Sequence, residues 1–185
     1  MPAPKKESSL IRLATPDDAE LFYDHTFRHM SESGNNDLIF HPVGDMKSWK
    51  KEENVAAIKE RWGYPSSTEF KWERAWALFV DNQIVGSANI RANPLPAARH
   101  RATFAIGIEK QYRNQGFGKL FMTRAIGWAK DQPFLDWLDL NAFLNNEKAI
   151  ALYKSFEFKE IGTTVDIFRV KGQSIDDIHM CLKLR

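Results

Sequence analysis

Cysteine is nearly absent: Cys181 is the only one in 185 residues. No intrachain disulfide can form, so a fold stapled by disulfides is excluded and a reducing, cytoplasmic setting is expected. No window approaches the roughly 18 apolar residues that a membrane-spanning helix needs. The opening MPAPKKESSLIRLA has no apolar segment of signal-peptide length. Charge of one sign is lacking too. The chain has 26 Lys and Arg against 24 Asp and Glu, a formal net charge of +2, and no Lys/Arg run longer than two. Partners bound through a basic face, nucleic acid or anionic membrane, are therefore not expected.

What is present is an ordinary globular balance, 43% hydrophobic and 27% charged, with 13 Phe and 6 Trp to fill a core or line a pocket. A chain of this length can bury most of its apolar surface within one domain. Residues 1–8 are polar and carry prolines, and are expected to be a flexible end before a single domain over 9–185.

Periodicity and turn chemistry predict the elements. A strand over 9–15 leads to a helix in which Thr15 is the cap, Pro16 opens the first turn and Asp18 closes a capping box. That helix should run to about Met30. A second helix is predicted over 45–63, with Val55, Ile58 and Trp62 on one face and Gly63 at its end. Residues 74–80 and 84–90 read as a hairpin around a three-residue turn, Asp81-Asn82-Gln83. Strand 101–108 follows a proline-containing loop. Then comes a helix beginning at Gly116 or Phe117, with Phe117, Leu120, Phe121, Ala125 and Trp128 as its apolar stripe. A strand over 135–143 precedes a helix over 145–156 with Asn146 as cap. Two strands, 163–170 and 176–184, flank Lys171-Gly172-Gln173, and in the second Ile178, Met180, Leu182 and Leu184 alternate. The order β-α-α-β-β-β-α-β-α-β-β is that of a mixed α/β sheet with helices on its faces.

The stretch YRNQGFGKL, Tyr112 to Leu120, sits between a strand and a helix. A helix start offers unpaired N–H groups and the positive end of the dipole, a ready anion site. Gly116 and Gly118 admit close backbone approach, and Arg113 and Lys119 can add charge-assisted bonds. Phosphate or pyrophosphate is the ligand class this chemistry suits; a glycine-rich tight turn with a surface Arg is the plain structural alternative. A Walker loop fails, because Leu120 stands where Ser or Thr must follow Lys119; a dinucleotide fingerprint fails because Phe121 replaces its third glycine.

Arg113-Asn114-Gln115-Gly116-Phe117-Gly118 resembles the R/Q-x-x-G-x-G/A motif of the GNAT superfamily of N-acetyltransferases. IGIEKQYRNQGFG is similar to that family's V-x-P-x-Y-R-x-x-G-x-G, with Lys110 where proline is usual. NNEKAIALYKSFEF resembles its N-x-x-A-x-x-L-Y-x-x-x-G-F, with Glu157 in place of glycine. The resemblance spans about Trp76 to Phe158.

It implies a central mixed, largely antiparallel sheet of about seven strands flanked by about four helices. It implies acetyl-CoA as co-substrate and no metal. Backbone amides across Gln115, Gly116, Phe117, Gly118 and Lys119, beside Asn114, would hold the pyrophosphate, with Arg113 helping to position it. The strand ending at Ile108 would run beside the pantetheine arm, in a gap where the sheet splays before the next strand. A backbone N–H near Ile108 would stabilise the oxyanion, and Tyr153 would protonate the departing thiolate. Asn146 caps its helix and could also touch CoA.

Other readings stay open from the residues alone. Tyr153 could be a core aromatic beside Leu152 and Phe156. Glu109 is the candidate general base, with a solvated surface carboxylate as the alternative. His25 and His29, at i,i+4, could share a metal, but no third ligand is suitably spaced. His179 is placed on the cleft side of its strand, and Cys181 is read as a small buried hydrophobe. The acceptor is expected to be a primary amine of a small molecule, a peptide or protein amine being the alternative. A different class, a silent acyl-CoA-binding sensor, shares the same motifs. Either a monomer or a homodimer would serve.

Overall fold

In the computed structural model, which describes residues 10–35, 38–42, 49–66 and 71–185, alternation and turn chemistry place seven strands in one sheet. They are β1 (Leu10–Leu13), β2 (Glu73–Val80), β3 (Gln83–Ala92), β4 (Arg101–Ile108), β5 (Trp137–Phe143), β6 (Lys159–Val170) and β7 (Gln173–Lys183). The helices are α1 (Ala19–Glu32), α2 (Lys51–Gly63), α3 (Phe117–Lys130) and α4 (Glu147–Ser155). Strand order is β1-β2-β3-β4-β5-β7-β6, and every neighbouring pair is antiparallel except β4–β5. The expected mixed, largely antiparallel sheet with four helices is present.

The β2–β3 hairpin turns on two residues, not three. Asp81 and Asn82 both have positive φ, +48° and +60°, and Gln83 already belongs to β3, paired with Val80. Two left-handed central residues match the twist of the strands, which a longer turn need not do. Lys171 and Gly172 make the same kind of turn between β6 and β7.

Asp18 caps as expected: it accepts from the Thr15 N–H at 2.8 Å and takes a two-pronged bond from Arg12 at 2.7 and 2.8 Å. The first turn is 3-10, so α1 proper begins at Ala19. The second helix starts later than its sequence pattern suggested. Residues 43–48 lie outside the described residues, and Lys50 is the extended cap of a helix beginning at Lys51. The expected flexible end, 1–8, also lies outside them.

The sheet separates two apolar layers. On one face α3 and α4 cover Phe104, Leu138, Leu140, Ile178 and Met180, with Phe121 and Met122 fully buried at the centre. On the other, Phe22 and Trp62 of α1 and α2 meet edge to face over β2, ring centroids 5.0 Å apart. The stripe of α3 is shifted from the expected one. Met122, Ala125, Ile126 and Ala129 are buried, whereas Leu120 is 45% exposed. A helix lying flat on a sheet buries a wider arc than one i,i+4 row, and Leu120 falls outside it.

Helix α4 ends in a paired-bond turn. The Phe158 N–H donates to Tyr153 O at 3.2 Å and the Glu157 N–H to Lys154 O at 3.1 Å. This is the glycine-ended helix stop, yet Glu157 holds it at φ +67°. The geometry of the usual glycine is kept at the cost of a Cβ in the left-handed region. Glu157→Gly is expected to raise stability by about 1 kcal/mol in urea unfolding, because that Cβ strain is relieved. In the core, Phe121→Ala should cost about 3–5 kcal/mol in the same measurement.

Candidate active site

Strands β4 and β5 begin as partners and then part. Their register covers Arg101 opposite Trp137, Ala102 opposite Leu138 and Thr103 opposite Asp139, and ends there, although β4 continues to Ile108 and β5 to Phe143. A two-pronged Arg101–Asp139 ion pair clamps the paired end.

The free edge of β4 can be assigned. The Glu109 N–H donates to Val85 O at 3.0 Å. In an antiparallel ladder this makes the odd residues of β4 the ones bonded to β3 and turns the even ones the other way. The last bond to β5 takes the Phe104 N–H, and the Phe104 carbonyl and the backbone groups of Ile106 and Ile108 therefore face the gap. One of them has a side-chain partner: Arg113 Nε donates to Ile108 O at 2.8 Å. The Ile108 N–H bonds none of the described residues.

Beyond β4 the chain makes a short 3-10 turn, Lys110–Tyr112, and a left-handed residue, Asn114, at φ +62°. Gly116 caps α3 at φ +86°. The first bond of the helix runs from the Leu120 N–H to Gly116 O at 3.3 Å, so the amides of Phe117, Gly118 and Lys119 have no intrahelical acceptor. The two glycines have reasons of their own inside the chain. A Cβ at 116 would meet nothing within 4 Å, and its φ is what requires glycine. A Cβ at 118 would sit 3.0 Å from Leu152 Cδ2, so Gly118 lets α3 and α4 approach beside Tyr153. Gln115 Nε2 donates to Gln111 O at 3.0 Å, which stiffens the turn. The arrangement fits a phosphate-bearing ligand at the start of α3 and an extended chain along the free edge of β4.

Two sequence expectations need correction here. Arg113 does not turn its guanidinium to the cradle. Besides Ile108 O, it pairs with Glu32 at 2.6 Å and lies 5.0 Å over the ring of Phe40. A carboxylate on α1 and a carbonyl on β4 hold it instead. Glu109 is not a solvated surface carboxylate: it is 5% exposed, bonded to His25 Nδ1 at 2.9 Å and to Arg28 Nε at 3.1 Å. Burial, the largest influence, works to raise its pKa, but the bonds from His25 and Arg28 prevail and hold it below the ordinary carboxylate value. A depressed carboxylate locked by two donors is a poor proton acceptor.

Lys110, which stands where proline is usual in the resembling motif, has a use for its N–H. It donates to both oxygens of Glu32, at 2.9 and 3.1 Å, a bond proline could not make.

Tyr153 is 6% exposed, and burial raises its phenol well above its ordinary value, so it keeps its proton throughout neutral pH. Its hydroxyl bonds none of the described residues. Among the described residues the sealed, unpartnered side-chain atoms are His29 Nδ1, His41 Nδ1 and Trp62 Nε1, and the Tyr153 hydroxyl is not one of them. The phenol therefore meets an opening. Asn146 Oδ1 accepts from the Ala149 N–H at 3.3 Å and caps α4 as expected.

The face of the sheet opposite α3 and α4 adds residues that single motifs did not reveal. His25, Arg28, His29 and Glu32 form one polar stripe on α1, readable from their three- and four-residue spacing. His25 and His29 stack at 5.9 Å but turn to different carboxylates, and no metal-holding group of three His, Cys, Asp or Glu exists among the described residues. Residues Leu38 to Pro42 cross the gap. Ser33 Oγ accepts from the Phe40 and His41 N–H groups, both at 3.0 Å, Phe40 stacks on His29, and Ile39 packs with Phe143. His179 lies on this face, paired with Asn141 in register and bonded to Thr164 at 2.7 Å. Asp177 beside it is buried, which raises its pKa, and accepts from Asn141 at 2.9 Å. Cys181 is buried.

Known proteins share this fold. Residues 44–158 match the model of the Acetyltransferase (GNAT) family. The L-amino acid N-acetyltransferase AaaT of Escherichia coli is 27% identical over 101 residues, 55% of this chain and 62% of that protein, so the match spans less than two thirds of the relative. A solved acetyltransferase of the GNAT family from Streptococcus pneumoniae superposes with a TM-score of 0.78 at 26% identity, covering 95% of this chain and 98% of that one. The structure of yncA from Salmonella typhimurium with its cofactor acetyl-CoA gives a TM-score of 0.77 at 14% identity, covering 96% and 95%, and at that identity shares the fold alone.

The Glu109 cluster carries a pH signature. Its folded pKa lies below the ordinary 4.5, so its stabilisation is complete above about pH 4.5 and is lost as pH falls through the lower folded value. Glu109→Gln should flatten that part of the stability–pH curve, followed as the urea midpoint between about pH 3 and 6.

Proposed function

The chain belongs to the acetyltransferase (GNAT) family, and from that premise we propose that it transfers an acetyl group from acetyl-CoA to the primary amine of a small molecule. The amine attacks the thioester directly. One observation carries this reading: the gap between β4 and β5 opens beside unpaired amides at the start of α3, with a protonated phenol at Tyr153. Residues 9–185 act in this reading as one catalytic domain.

Acetyl-CoA supplies the acetyl group already activated as a thioester. The amides of Phe117, Gly118 and Lys119 would hold its pyrophosphate, with Asn114, Gln115 and Gly116 setting the curve of the turn. The outward carbonyl of Phe104 and the backbone groups of Ile106 suit the amides of an extended arm. The Ile108 N–H, which bonds none of the described residues, would stabilise charge developing on the thioester oxygen. Tyr153 hands a proton to the departing sulfur. Asn146 spends its oxygen on the cap, which leaves its amide nitrogen for the cofactor. Arg113 acts at one remove, holding the end of β4 to Glu32.

The relative named for L-amino acids supports a small acceptor, and an amino acid α-amine is the first to try. Incubation with acetyl-CoA and a panel of amines should release free thiol with at least one small amine. Tight CoA binding without thiol release would identify a sensor instead. Tyr153→Phe should lower kcat by about 10²-fold while the Kd for acetyl-CoA stays within about twofold. A collapse of Kd with turnover per bound CoA preserved would remove the acid role.

A further inference from the structure

The ring of His29 lies on the backbone of β4. A Cβ at Gly107 would fall 2.6 Å from His29 Cδ2 and 2.8 Å from Nε2. No side chain other than hydrogen permits that approach, and the φ of Gly107 is not in the left-handed region, so clearance is the reason for glycine here. The ring is held in place by two others, His25 at 5.9 Å and Phe40 at 4.7 Å, both stacked. Gly107 stands between Ile106 and Ile108, the residues whose backbone groups face the gap. On the same side of β4, Thr103 and Ala105 are exposed, whereas Glu109 is covered. His29 therefore borders an open stretch of sheet on the face away from α3.

Its two nitrogens differ. Nδ1 is sealed from solvent and lies 3.4 Å from Glu32 Oε2, within ion-pair distance but too misaligned for a hydrogen bond. Nε2 is not sealed and bonds none of the described residues. The Glu32 carboxylate beside Nδ1 favours the tautomer with the proton there and leaves a lone pair on Nε2, at the ring edge that borders Gly107. His25 obeys the same rule, giving its Nδ1 proton to Glu109, but is only 1% exposed and cannot meet a substrate.

We propose that His29 Nε2 is the base that takes the proton from the incoming ammonium, a role that rests on the N-acetyltransferase reading above. R–NH3⁺ gives one proton to Nε2, producing R–NH2 and an imidazolium that later returns its proton to solvent. The amine nitrogen forms its bond to the acetyl carbon as the carbon–sulfur bond breaks. Tyr153 protonates the sulfur, and the second proton lost from nitrogen restores the phenol through solvent. The charged and titratable groups around His29 are His25 and Glu32 on its own helix, His41 from the crossing segment, Glu109 behind His25, and Arg113 across Phe40.

The test compares wild type, His29→Gln and Gly107→Ala. For His29→Gln, kcat/KM for the amine should fall about 10²-fold at neutral pH and recover towards alkaline pH, where free amine is already present. The Kd for acetyl-CoA should stay within about twofold. Gly107→Ala, whose methyl displaces the ring, should show the same pH-dependent loss. Independently of activity, imidazole ¹⁵N shifts of the free protein should report the Nδ1–H tautomer at His29. A wild-type pH profile retained in His29→Gln, or an Nε2–H tautomer, overturns the role of His29 while the acetyltransferase reading stands. A wild type that releases no thiol with any amine overturns both.

Discussion

The structure turns on a backbone ladder that stops. Parallel strands β4 and β5 pair over three residues and then separate, although each runs on. Polar backbone in a protein interior must find partners. An edge left open within the sheet is a slot for something that can donate and accept as a strand does. The direction of every group in the slot follows from one bond, that of the Glu109 N–H to Val85 O, because the alternation of β4 then leaves the even residues no partner in β3.

The gap is held open from three sides. Arg101 and Asp139 clamp the paired end. Arg113 occupies the Ile108 carbonyl and is itself anchored by Glu32, whose carboxylate also takes the Lys110 N–H. The segment from Leu38 to Pro42 bridges the two halves, with Phe40 on the α1 side and Ile39 against Phe143 of β5. The cofactor motif and the polar stripe of α1 thus meet through Glu32, although they lie far apart in the chain. The amides at the start of α3 lie on one side of the sheet's end and the histidines of α1 on the other, a division that suits a transfer between two substrates.

Much of this was legible in the sequence, for identifiable reasons. Element order followed from periodicity, which depends on neighbours a few residues apart. Asn146 and the Thr15–Asp18 box were readable because caps are local bonds. The strand–turn–helix around Gly116 and the helix carrying Tyr153 were readable as a pair of motifs. What escaped were contacts over long separations. Leu120 looked apolar and inward, yet α3 lies on the sheet at an angle that leaves it out. Glu109 looked like a surface carboxylate because nothing near it in sequence says that His25 and Arg28 will close over it. His25 and His29 were read only as a possible metal pair, because nothing near them in sequence says that they turn to Glu109 and Glu32.

By itself the sequence determined the order of strands and helices, the caps at Asn146 and Thr15–Asp18 and the anion-ready start of α3, because each rests on local backbone preferences and nearby hydrogen bonds. Glycine at 107 and glutamate at 157 are the boundary cases. Their identities are plain in the sequence, but one admits a histidine ring from α1 and the other strains a helix stop beneath Tyr153. Tertiary structure alone decided where β4 and β5 part, where Arg113 spends its charge and which histidine of α1 is buried against Glu109 and which lies on Gly107. Those outcomes depend on burial and on partners drawn from distant parts of the chain, where desolvation makes a paired charge stable and an unpaired backbone group available.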